Sequence, residues 1–236
     1  KKMGNFFAIL TLLLTLAKDV EPSGVLKVTF VDYVNPGKKD YAGGNGDECC
    51  DEFCDDCDTY FEICLQATYI PVKSIANCLK FVRTNIREKD NFNFISAFGT
   101  QFGSKGEKNP IVYHFDDSWK GRFSIFMNIW DDDTGHVFKG ARGPDRIDIV
   151  HGSYQSLAAG RHSANPTIYE KTLTGSRKNP TSTNIKLSLQ CDRYYYNGYC
   201  SKYCKAQDSD AAGHFTCDRY GQKICRKGWH GNDCKT

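Results

Sequence analysis

The stretch CDRYYYNGYCSKYCKAQDSDAAGHFTCDRYGQKICRKGWHGNDC, residues 191–234, decides how the rest of the chain is read. It holds six cysteines, Cys191, Cys200, Cys204, Cys217, Cys225 and Cys234, with glycines and aromatic residues set between them. So short a segment buries too little apolar surface to stay folded alone, and covalent bridges are expected to hold it. The spacing by itself leaves many pairings open. Stapled loops with exposed aromatics present a surface to another protein; they do not enclose a substrate.

Outside this stretch, Cys49, Cys50, Cys54, Cys57, Cys64 and Cys78 form a second cluster, and no cysteine lies between Cys78 and Cys191. Even, clustered cysteines predict an oxidising compartment and a disulfide framework. The start of the chain agrees. Lys1 and Lys2 precede an apolar run from Phe6 to Leu16, and Thr15-Leu16-Ala17 resembles a small-residue cleavage site. Residues 1–17 therefore read as a secretory signal peptide, and no later segment reaches the roughly 18 apolar residues of a bilayer span. The net charge of +3 does not read as a nucleic-acid binder. The charge is uneven: every charged residue from Asp47 to Glu62 is acidic, whereas the segment from Cys191 onward is mildly basic.

Between the signal and Cys191, short period-2 segments dominate. Leu26, Val28 and Phe30 alternate with Lys27, Thr29 and Val31; Phe61, Ile63 and Leu65 with Tyr60, Glu62 and Cys64. Phe123, Ile125, Met127 and Ile129 repeat the pattern, as do Ile185, Leu187 and Leu189. Residues 110–115, 146–150 and 166–173 are weaker strand candidates, and 74–86 reads as either a short helix or a strand. Turn clusters separate them, among them Asn35-Pro36-Gly37, Gly43-Gly44-Asn45-Gly46 and Asp131-Asp132-Asp133-Thr134-Gly135. Many short strands with turns between them predict an antiparallel sandwich over residues 24–190, with Trp119 and Trp130 burying their rings against its core. The domain boundary is expected at Gln190/Cys191.

Three features of the C-terminal stretch are more specific than its cysteines. They are Tyr194-Tyr195-Tyr196 with Gly198 before Cys200, Gly213-His214-Phe215 before Cys217, and an EGF-type closing loop, Gly228-Trp229-His230-Gly231-Asn232-Asp233-Cys234. Together they resemble the DSL domain of the Delta/Serrate/Jagged ligands of Notch receptors. The resemblance covers all of 191–234 and continues upstream. Cys49-Cys50, the run Cys57-Asp58-Thr59-Tyr60-Phe61-Glu62-Ile63-Cys64-Leu65, and Trp119 followed by the strand ending Ile129-Trp130-Asp131 look like the N-terminal region of those ligands.

The resemblance implies a mainly β chain: a C2-like antiparallel β-sandwich followed by a small, disulfide-rich, EGF-related DSL module. It implies the pairs Cys191–Cys200, Cys204–Cys217 and Cys225–Cys234, each worth on the order of 3 kcal/mol in the chain-entropy account. It implies docking on EGF repeats of a Notch-type receptor through Tyr203, Lys205, Gln207, Asp208, Ala211 and Ala212. Tyr203 offers an aromatic anchor or, equally, a packing residue within the module, and Lys205 offers a charge. The vertebrate-like pattern has adjacent aromatics just before Gly-His, where this chain has Ala211 and Ala212; losing a buried aromatic anchor costs about 2 kcal/mol or more. Weaker binding, or a receptor that uses other contacts, is expected. Family ligands are type I membrane proteins, so the chain is expected to be the N-terminal piece of such a cell-surface protein, or else a secreted form.

Two further motifs carry alternatives. Cys54-Asp-Asp-Cys57 is a C-x-x-C, which is open to zinc or redox chemistry, but it lacks a second such pair and a nearby basic residue. Disulfides tying a loop to the Tyr60–Leu65 strand are the preferred reading. Asp131 and Asp133, at a strand end where C2-like domains place calcium ligands, are candidate calcium ligands and also ordinary turn residues. Were calcium held there, the same rim would face phospholipid headgroups. A calcium-dependent phospholipid-binding secreted protein and a secreted adhesion or matrix protein are thus the rival readings. No cofactor is required. The six histidines, among them His114, His136, His151, His162 and His230, stand outside any nucleophile or metal motif, His214 is expected to pack, and no enzyme is predicted.

Overall fold

A computed structural model of the chain describes residues 23–40, 48–50, 56–66, 74–76, 78–133, 143–161 and 165–236. The expected signal segment, the glycine turn at 43–46, Cys54, and Thr134-Gly135 lie outside the described residues. In chain order the elements are β1 (Gly24–Val34), β2 (Lys39–Asp40), β3 (Glu48–Cys49), β4 (Asp58–Gln66), β5 (Lys80–Arg83), β6 (Arg87–Glu88), β7 (Asn91–Asn93), α1 (Phe94–Phe98), β8 (Ile111–Phe115), β9 (Phe123–Asp131), β10 (Asp145–Tyr154), β11 (Thr167–Thr174) and β12 (Ser182–Cys191). The C-terminal segment adds β13 (Tyr195–Tyr196), β14 (Lys202–Tyr203), β15 (Gln207–Ser209), β16 (Gly213–Cys217) and β17 (Lys223–Cys225).

Two sheets form the body. One runs β11-β12-β1, with β7 and β8 both pairing to β1; the other runs β10-β9-β4, with β5 and β6 both pairing to β4. The period-2 segments sit where their alternation places them. Leu26, Val28 and Phe30 face inward from one sheet together with Ile185, Leu187 and Leu189; Phe61, Ile63, Leu65, Phe123, Ile125, Met127 and Ile129 face them from the other. The register of β1 against β12 shifts between Phe30 and Asp32. That extra residue moves the next inward position from Asp32 to Tyr33, so a ring enters the core and the carboxylate stays out.

Helix α1 and the ambiguous segment are findings the alternation did not carry. Phe94 and Phe98, one turn apart, share the buried face of α1, and the Asn93 side chain caps it by accepting from the N–H groups of Ile95 and Ser96 at 3.0 and 3.2 Å. The Phe94 ring meets Phe30 at 5.5 Å and Phe61 at 5.3 Å between centroids. Residues 80–83 of the ambiguous segment form strand β5. Trp119 is buried, its Nε1–H donating to the Leu157 carbonyl at 2.8 Å. Trp130 is not a core residue: it lies half-buried on the outer sheet face, stacked on Tyr60, with its Nε1–H donating to Glu62 at 3.0 Å. In the cysteine-rich N-terminal region Cys50 is bonded to Cys57 and Cys64 to Cys78, the second bridge tying Cys78, just ahead of β5, to β4.

The composition change at Cys191 is not a seam in the packing. Strand β12 runs through Cys191, and both Cys191 and Cys200 belong to the sandwich core. Backbone bonds fix the loop between them: Trp119 N–H donates to the Tyr199 carbonyl at 2.7 Å, Ala159 to Gly198 at 2.8 Å, and Asp192 to Ser23 at 3.0 Å. The segment beyond Cys200 has its own small core of Cys204, Phe215 and Cys234, with Tyr196 and Trp229 packed on it. No helix among the described residues is long and apolar enough to cross a membrane.

Candidate functional site

The C-terminal segment is shaped by three bridges, Cys191–Cys200, Cys204–Cys217 and Cys225–Cys234. They close around two small sheets, β13-β14 and β15-β16-β17. Tyr203 sits on β14 opposite Tyr195. Its ring meets Tyr195 edge-on at 5.2 Å and Tyr194 at 6.3 Å, yet the residue remains 52% exposed. The Lys205 ammonium lies 5.4 Å from the Tyr194 ring centroid and the Arg193 guanidinium 4.8 Å from it, which adds cations to the aromatic cluster. Tyr203 is thus held by its neighbours on one side and offered to solvent on the other.

Gln207 and Asp208 lie on β15, and Ala211 and Ala212 are exposed at the tip of the β15–β16 hairpin. The tip is clamped from below. Asp208 and His214 are register partners, with His214 Nδ1 2.6 Å from Asp208 Oδ1 and Nε2 3.1 Å from Asp210 Oδ1. A carboxylate accepts, so each ring nitrogen is placed to donate, and this geometry favours the protonated imidazole. The hydrogen bond to Asp208, then that to Asp210, holds the His214 pKa above its usual value, and the same His214 bond holds Asp208 below its own. Arg226 approaches the other Asp208 oxygen at 3.5 Å. Trp229, from the closing loop, lies flat on the His214 ring. Gly213 has φ +97°, and a Cβ there would stand 2.0 Å from the Asp233 carbonyl oxygen, so only glycine lets hairpin and closing loop meet.

Of the six candidate receptor residues, Tyr203 and Lys205 share one aromatic cluster through Tyr194, while Asp208 is exposed and bonded to His214. The clamp partners Asp210, Trp229 and Arg226 were not legible as a set. They lie between two and twenty-one positions from Asp208, and the hairpin register together with the return of the closing loop brings them together.

Asp131 and Asp133 are both buried at the end of β9, and Asp131 Oδ1 accepts the Asp58 N–H at 2.6 Å. Calcium takes six to eight oxygens. Among the described residues no three acidic side chains converge there; the one convergent group is Cys50, Cys57 and Asp90. Its two sulfurs are bonded to each other, so it supplies no thiolate pair for a metal.

Comparison with known proteins agrees with this architecture. Residues 23–172 match the N terminus of Notch ligand C2-like domain, and residues 191–236 match the Delta serrate ligand family. Neurogenic locus protein delta of Drosophila melanogaster is 27% identical over 93% of this chain and 26% of its own length. Human Delta-like protein 1 is 29% identical over 98% of the chain and 31% of its own length. The chain therefore spans less than a third of these curated relatives. The solved structure of Drosophila C2-DSL-EGF1 superposes with a TM-score of 0.57 at 26% identity, covering 90% of this chain and 87% of that one. A two-sheet sandwich bonded through Cys191–Cys200 to a triply bridged module, matched along both parts, places this chain in the Delta/Serrate/Jagged family of Notch ligands.

Proposed function

We propose that this chain recognises EGF repeats of a Notch-type receptor on a neighbouring cell, and that the bridged C-terminal module is the part that docks. The observation that carries the reading is Tyr203, half in solvent and held edge-on by Tyr194 and Tyr195 beside the Lys205 ammonium. A preoriented, half-exposed tyrosine is among the residue types enriched in protein–protein hot spots. Ala211 and Ala212 at the hairpin tip add little area, which shifts the contact toward the Tyr203 side of the module. The bridges keep these loops from paying an ordering cost on binding. The cysteine pairing and family membership favour an extracellular, secretory-pathway protein.

The test is association of the full chain with immobilised Notch EGF repeats. Tyr203→Ala should weaken binding by 10-fold or more while the thermal melt stays put, because the ring is exposed. Unchanged affinity would remove Tyr203 from the docking face.

A further inference from the structure

Beside Tyr203 the module carries a groove of about 470 Å³ that none of the six candidate positions except Tyr203 lines. Its walls are β14, the turn before β17, and the closing loop, with the Cys225–Cys234 bridge among its lining. Lys202, Gln222, Lys223 and Asn232 supply the polar groups. No acidic residue lines it, and among the described residues no carboxylate pairs with either ammonium. Lys202 Nζ donates to Gln222 Oε1 at 3.2 Å, and Lys223 Nζ lies 4.5 Å from the Phe215 ring centroid. Both ammonium groups are therefore positioned by neutral partners, and among the described residues neither has a carboxylate within ion-pair distance. Gly221 makes the close approach of the two walls: its φ is +75°, and a Cβ would meet Lys202 Cγ and Tyr196 at 2.9 Å.

We propose that this groove receives an acidic side chain on a loop of the bound receptor repeat, its carboxylate seated between Lys202 and Lys223 while the loop backbone meets the Gln222 and Asn232 amides. The assignment rests on the receptor-docking reading above and deepens it by naming the chemistry of the partner. A protein loop suits the groove better than a sulfated glycan. The tyrosine ring and the disulfide give it apolar surface, and two amides match peptide groups, whereas a polyanion calls for a longer run of cations. It also supplies contacts that the two hairpin-tip alanines cannot.

The experiment measures binding of the full chain to Notch EGF repeats at about 50 and 300 mM salt. The double variant Lys202→Gln/Lys223→Gln should bind roughly 10-fold more weakly at low salt and lose most of the salt dependence, with an unshifted thermal melt. Tyr203→Ala should weaken binding yet keep the salt slope. If the lysine variant binds like wild type while Tyr203→Ala is impaired, the groove proposal is overturned and the docking reading stands. If wild type binds no repeat, the docking reading fails, and titration with a hexaglutamate peptide decides the groove separately. Amide shifts confined to 202, 222, 223 and 232 would support it, and an unchanged spectrum would overturn it. A heparin hexasaccharide that shifts those amides more strongly than hexaglutamate would overturn the commitment to a protein carboxylate.

Discussion

His214 and Trp229 stack with ring centroids 3.6 Å apart and planes 18° from parallel, joining the β15–β16 hairpin to the closing loop fifteen positions later in the chain. The His214 side chain is only 13% exposed, with Asp208 and Asp210 on its two nitrogens and Arg226 beyond Asp208. A cation on an indole face, flanked by two carboxylates, is a clamp whose strength depends on its charge.

The clamp makes hairpin stability depend on pH in two directions. The His214 pKa is raised above 6.5, so its contribution is complete below 6.5 and is lost as pH climbs through the raised value. The Asp208 pKa is lowered from 3.8, so its contribution is complete above 3.8 and is lost as pH falls through the lowered value. Amide exchange across 207–215, corrected for intrinsic rate, should be slowest near pH 5–6 and quicken toward pH 8.5. His214→Gln should flatten the alkaline limb. A profile indifferent to pH from 5.5 to 8.5 would show that the imidazole does not change its charge in that range and would contradict the pH-dependent clamp.

Gly213→Ala should be among the most damaging single changes in the module. The left-handed φ costs an alanine about 1 kcal/mol, and its methyl would meet the Asp233 carbonyl. A loss of about 3 kcal/mol is expected, read as a lowered melting temperature with intact Cys225–Cys234. A melt within one degree of wild type would mean that the closing loop moves aside without cost.

The first bridge should behave as part of the sandwich. Cys191 and Cys200 are both fully buried in its core. Cys191→Ala/Cys200→Ala should destabilise by about 2–4 kcal/mol and should raise exchange at Trp119 and Ala159 as well as at 192–199. Effects limited to 192–199 would make the loop an independent appendage.

Far from the module, Arg177 and Asp148 are buried together, with side chains 4% and 1% exposed and Nε 3.7 Å from Oδ2. Arg177 also donates to the Lys39 carbonyl and to Asn35 Oδ1, while Asp148 accepts from Thr181 and Ser176. Arg177→Met should cost about 3–5 kcal/mol, since it leaves a buried carboxylate without its cation. Urea unfolding checks this, and a loss below about 1 kcal/mol would show that the neutral donors suffice.

The strands of the sandwich were legible because their inward positions are uniformly apolar, so alternation survives in the residues themselves: Leu26-Val28-Phe30 and Phe123-Ile125-Met127-Ile129 needed no partner to be read. Trp130 misled because a large aromatic in a strand signals burial without saying on which side; its even position puts it on the outer face with Tyr60. Helix α1 is five residues long, too short for a helical period to show, and its local marks are the Asn93 cap, the Phe94–Phe98 spacing and Gly99 at its end. Tyr203, Lys205 and the other receptor candidates came from a resemblance in motif order. The clamp and the lysine groove came from neither source, because Asp208–His214 and Lys202–Lys223 are joined by hairpin register and loop crossing, which no linear spacing encodes.

In the proposed docking, three bridges set the C-terminal loops in the one shape that the receptor grips. The most direct check is the affinity of the full chain for Notch EGF repeats beside that of Cys204→Ser/Cys217→Ser, which opens the module and leaves the sandwich and the Cys191–Cys200 loop intact. Binding by wild type and its loss, by 100-fold or more, in the variant is the predicted result. Equal binding by both proteins would contradict the account.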